Sequence, residues 1–140
     1  MTILTRKQFL KRSKECVDAE GVHALDIRGL IDKESTSEIN DQNAYKQIKN
    51  IMDGLGELFT KYERLKPPSE YTPLKLKILN SLVILQEAAA ANYDYINLNT
   101  EGKKPVDAEI KLRDSKELLN KFRTIFYPIT TEVETQLAQR

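Results

Sequence analysis

Apolar residues recur along most of this chain at alternating intervals of three and four, the period of an amphipathic helix. Four such stretches are visible. In the first, Phe9, Ser13, Cys16 and Val17 share one face with Leu10 beside them, and Val22, Leu25 and Ile27 extend it towards Gly29. Thr5-Arg6-Lys7-Gln8 precedes it and fits a capping box, so the helix is predicted to begin there. The polar stretch 32–41, rich in Ser and Thr, predicts a loop. The second helix is predicted from about Gln42 to Leu65, with a seam of Tyr45, Ile48, Met52, Leu55, Phe59 and Tyr62. Gly54 and Gly56 interrupt it and would admit a close neighbour.

The segment Leu65-Lys66-Pro67-Pro68-Ser69-Glu70-Tyr71-Thr72-Pro73 breaks the helical pattern and folds it back on itself. Thr72 and Pro73 suit the N-cap and first turn of a third helix. Its main face is Leu74, Ile78, Leu82, Leu85 and Ala89; Leu76, Leu79, Val83 and Ile84 widen the apolar surface nearly all round. Such a helix is the one expected at the centre. After a predicted loop at 97–104, Pro105 opens a fourth helix with the seam Leu112, Ser115, Leu119, Phe122, Phe126, Ile129 and Val133. Pro128 lacks the amide that would bond to Thr124, which predicts a kink or break near Tyr127. The pattern predicts a single all-α domain over residues 1–140, an antiparallel four-helix up-down bundle with its last helix kinked.

Composition adds exclusions. The 140 residues suffice for one core. A net charge of +1 gives no global field towards nucleic acid or acidic substrates. The one cysteine, Cys16, rules out an internal disulfide. No apolar run is long enough to span a bilayer, and the N-terminus has no apolar signal core. As the chain stands it reads as cytoplasmic; if an export signal was removed, it belongs on an extracytoplasmic surface.

Candidate chemistry is sparse. Glu20-Gly21-Val22-His23 has the spacing of a di-iron ligand pair, but His23 is the only histidine and the second pair is missing. Cys16 lies on the apolar face, and His23 is two helical turns away, about 10 Å along the axis. No Gly-rich phosphate loop occurs. The acids Asp53, Glu57, Glu63, Asp107, Glu109 and Asp114 spread over several faces and read as surface charges. No cofactor is implied. The clearest asymmetry is Arg6, Lys7, Lys11, Arg12 and Lys14 ahead of the first acid, Glu15. The plain reading is a solvated face balanced by acids of a neighbouring helix. The functional one is contact with a phosphate-rich surface, an anionic membrane or a nucleic acid. Nucleic acid is disfavoured, since aromatics are not interleaved with these charges. Tyr93, Tyr95, Tyr71 and Tyr127 cluster near helix ends. The residues picked out for partner binding are Lys7, Lys11, Lys14 and Tyr95.

The segment "LFTKYERLKPPSEY", followed by a long helix and then "SKELLNKF", resembles the uncharacterised helical-bundle domains of small lipoproteins and exported proteins of Gram-positive bacteria. Leu4-Thr5-Arg6-Lys7-Gln8-Phe9 matches their Leu-Thr-x-x-x-[Phe/Tyr] helix start. The lipobox cysteine of that family is missing here. The resemblance implies a surface-associated, non-enzymatic bundle with no cofactor. The leading expectation is a non-catalytic module that acts by binding a protein. The alternatives are a small intracellular accessory or inhibitor protein of a mobile element or phage, and a bundle with a ligand pocket between helices. The wide apolar surface of the third helix also leaves room for a homodimer.

Overall fold

A computed structural model describes residues 2–100 and 105–139. Four helices, α1 (Arg6–Ser35), α2 (Asp41–Glu63), α3 (Thr72–Thr100) and α4 (Pro105–Ala138), account for nearly all of them, and no strand occurs among them. The helices share one hydrophobic core. Phe9 and Leu10 from α1, Ile48 and Leu55 from α2, Ile78, Leu82 and Leu85 from α3, and Phe122 and Val133 from α4 all lie within it. Each such side chain contributes roughly 1.5–3 kcal/mol when fully removed from water. No described helix is long and apolar enough to cross a membrane.

The start of α1 follows its local signals. Thr5 accepts from the Gln8 amide at 3.1 Å, and the Gln8 side chain accepts from the Thr5 amide at 3.0 Å. The end of α1 does not. The helix runs through 32–35 instead of yielding to a loop, because Leu30, Ile31 and Glu34 carry its buried face onward. The connection shrinks to Thr36–Asn40, with Ser37 in the left-handed region at φ 58°. Asn40 then caps α2 by accepting from the Asn43 amide at 2.8 Å.

Tyr45 was expected in the α2 seam but is exposed; Ala44 and Ile51 take the buried positions. A single 3-10 turn at Ser69–Tyr71 leads straight into α3, so Thr72 is already helical and does not act as an N-cap. Pro73 still falls in the first turn, where its missing amide is harmless. Lys75 reaches back to the Glu63 and Leu65 carbonyls at 2.6 and 2.8 Å, satisfying the end of α2. The helix continues over 97–100, part of the expected loop; the rest of that loop, 101–104, lies outside the described residues. Leu76 and Val83 are exposed, so α3 is less widely buried than its composition predicts.

Of the kink or break expected near Tyr127, the break does not occur: α4 is helical on both sides of Pro128. Pro128 and Thr124 are both exposed, so water can reach the Thr124 carbonyl that the missing amide leaves unpaired. Polar contacts mark which helix ends lie together. Arg6 meets Gln136 and Lys14 meets Glu134, linking the start of α1 to the end of α4. The Leu4 amide donates to the Lys66 carbonyl, and Ser13 pairs with Tyr62, at the end of α2. Between α3 and α4, Lys77 meets Glu132 and Asp94 meets Lys111. Positions in contact thus climb in one helix as they descend in its neighbour.

Candidate docking groove between α1 and α4

The buried face of α1 follows Phe9, Ser13, Val17, Glu20, Ala24, Ile27, Ile31 and Glu34. That leaves Val22 and Leu25, expected on the same face, pointing outward at 58% and 67% exposure. They do not stand alone. Gly21 brings α1 close to α4: a Cβ there would sit 3.7 Å from the Phe126 ring. Phe126 in turn stacks on Phe122 with ring centroids 4.7 Å apart. Beside this crossing the two helices leave an open groove of about 370 Å³. Its floor is Ala24, Leu119 and Phe122, the last only 1% exposed. Its walls are Val22 and Leu25 on one side and Tyr127, 67% exposed, on the other. Asp18, Arg28 and Arg123 form the rim.

The charges around the groove are unequal in availability. Asp18 is held by Lys14 at 2.8 Å, and Lys14 also approaches Glu134 at 3.6 Å. The Asp18 bond, ahead of the charge of Glu134, holds the Lys14 ammonium pKa above its usual range. Arg28 and Arg123 have no acidic partner among the described residues. Lys7, Lys11 and Lys14 precede Asp18, Val22 and Leu25 at steps of three and four, so all six lie on one stripe of α1. Lys7 and Lys11 are exposed and also lack a described acidic partner.

The basic run therefore divides. Arg6 is used structurally: its Nε donates to the Tyr71 hydroxyl at 2.7 Å, and its Nη2 to the Gln136 carbonyl. Arg12 approaches Glu15 at 3.8 Å. Lys14 is ion-paired, and Lys7 and Lys11 remain. Tyr95 stands apart from them. It is half-buried towards the far end of α3, where burial raises its hydroxyl pKa and the charges of Glu34, Asp41 and Glu109 add to that effect. Tyr71, another end tyrosine, is buried against Phe9 at 6.1 Å.

Two carboxyl groups that sequence reasoning did not place inside are in the core. Glu20 is fully buried and its Oε1 lies 2.6 Å from the Ser81 hydroxyl, which also lies 2.7 Å from the Ile78 carbonyl. Burial raises the Glu20 pKa to about 8, against the smaller opposing effect of Ser81. The Ser81 hydroxyl donates to Glu20 Oε1, which is what opposes the effect of burial, and the Ile78 carbonyl is the second acceptor within its reach. Glu34 accepts from the Asn92 amide at 2.6 Å, and burial raises its pKa to about 7. The other carboxylate oxygen of each has no hydrogen-bond partner.

Neither arrangement is a metal centre. Among the described residues no three His, Cys, Asp or Glu side chains converge as ligands would. His23 lies against Gly54, where a Cβ would come within 2.7 Å of its Cε1. The imidazole thus fills the space that a pocket at Gly54 would need. Gly56 has nothing within 4 Å of its would-be Cβ and admits no close neighbour. Burial, reinforced by the nearby Glu20 charge, pushes the Cys16 thiol well above its ordinary pKa. It stays protonated, without the activation a nucleophile needs.

Comparison of the chain with protein-family models, with curated proteins and with solved structures gives no match.

Proposed function

We propose that this chain is a non-catalytic helical module that acts by binding another protein, with the α1–α4 groove as its docking face. One observation carries the reading. Val22, Leu25 and Tyr127 are largely exposed around a recessed floor of buried Phe122 and Leu119. Exposed apolar side chains scattered singly are ordinary; a set that walls a groove is the usual mark of an interaction site. A groove between two helices also suits the docking of a third, which reproduces bundle packing across an interface. The polar groups inside the core support the non-catalytic part, since Glu20 and Cys16 are sealed from solvent. The resemblance to exported Gram-positive bundles adds a cell-surface setting to the proposal.

Site-specific photo-cross-linking tests it. A photoreactive residue is placed at Leu25, and at Lys46 on α2 as a control, in cells that express the chain. A discrete protein adduct at Leu25 that is missing at Lys46 is expected. No adduct at Leu25, or the same adducts at both positions, would contradict the reading.

A further inference from the structure

We propose that the occupant of this groove is an acidic amphipathic helix of a partner protein. This inference rests on the docking reading above and names the chemistry of what docks. Three observations carry it. The first is shape. From Asp18 to Arg28 the groove follows α1 for ten residues, about 15 Å, which is close to three helical turns. A helix lying along it would place apolar anchors at i, i+4 and i+7 over the floor of Ala24, Leu119 and Phe122.

The second is charge. Arg28 and Arg123 on the rim have no acidic partner among the described residues, while the one rim acid, Asp18, is engaged by Lys14. Lys7 and Lys11 continue the same stripe of α1 beyond Asp18, exposed and without an acidic partner among the described residues. Of the charges that line the groove itself, those without a described ion pair are therefore cationic, in a chain whose net charge is only +1. A helix with carboxylates flanking its apolar anchors answers both features.

The third is what the other occupants would require. A second copy related by a twofold axis presents the same surface, so the free charges of both copies would be positive and nothing would neutralise them. A membrane would meet the protruding Val22, Leu25 and Tyr127, but a bilayer surface leaves the recessed floor between them, with Phe122 and Leu119 almost fully covered, unfilled, whereas a helix fills it.

The test pans the purified full chain against displayed peptides of about 16 residues patterned as helices, long enough for three turns and both flanks. Sedimentation of the chain alone and binding to vesicles containing phosphatidylserine are measured alongside. The selected peptides are expected to carry apolar residues at i, i+4 and i+7 with an excess of Asp and Glu. Their affinity should fall at least about tenfold with Leu25→Glu. It should fall severalfold with Arg28→Glu or Arg123→Glu, in a salt-dependent way. All three side chains border open solvent, and circular dichroism checks that each variant folds. Peptides that need Leu25 but carry neutral or basic flanks overturn the acidic assignment and leave the docking groove standing. If no peptide depends on Leu25, both fail. A dimer dissolved by Leu25→Glu overturns the inference in favour of a second copy. Vesicle binding that displaces the peptides overturns it in favour of an anionic membrane.

Discussion

Glu20 and Glu34 show how one side chain can set the response of a fold to pH. Both carboxyls have pKa values raised by burial, to about 8 and about 7. In the unfolded chain they titrate near the ordinary carboxylate value. Between about pH 4.5 and 8 the folded state thus binds protons that the unfolded state has released, and stability falls as pH rises through that range. Glu20 alone accounts for roughly 4 kcal/mol across it. Glu20→Gln should remove most of this slope and raise stability at pH 8, as read from urea unfolding at pH 5 and pH 8. A parent protein equally stable at both values would contradict the assignment. Nothing in the sequence distinguished these two acids from their exposed neighbours. A carboxylate is by default a surface residue, and only packing against Ser81 and Asn92 from a distant helix makes it a core one.

At the scale of the helix, the paired glycines and the proline of α2 and α4 make opposite predictions. Gly56→Ala meets nothing within 4 Å and should stabilise by about 1 kcal/mol through helix propensity. Gly54→Ala drives a methyl against the His23 ring and should destabilise, by roughly 1 kcal/mol net. In a His23→Ala background the same change should become stabilising. A double-mutant cycle on unfolding free energies checks both. Pro128→Ala restores an amide inside α4 and relieves the ring, so it should stabilise by about 1–3 kcal/mol. A loss of melting temperature in that variant would show that the proline serves the packing of the end of α4.

Helix existence was legible at this scale because it depends on local period and caps. The Thr5–Gln8 box and the seam from Leu112 to Val133 are read directly from spacing. Helix orientation was less legible. Val22 and Leu25 pass for core by their apolar character alone: they lie five residues, about 140° round the helix, from buried Val17 and Glu20 respectively, and the helix turns Glu20, Ala24 and Ile27 inward instead. The ends failed where tertiary contacts prolonged a helix, as Glu34 does for α1.

The whole molecule separates what holds it together from what is left over. Four helices close around a shared core, and the stripe of α1 that begins at Lys7 and passes Leu25 lies outside that core. The groove it forms with α4 was invisible in the sequence, since Gly21 and Phe126 meet across more than a hundred residues. The account depends on Val22 and Leu25 being surplus to folding and reserved for a partner. The most direct test is the unfolding free energy of Val22→Glu/Leu25→Glu against the parent, by urea denaturation. The account predicts equality within about 0.5 kcal/mol, as for exposed positions. A loss of several kcal/mol would place these side chains in the core and contradict it.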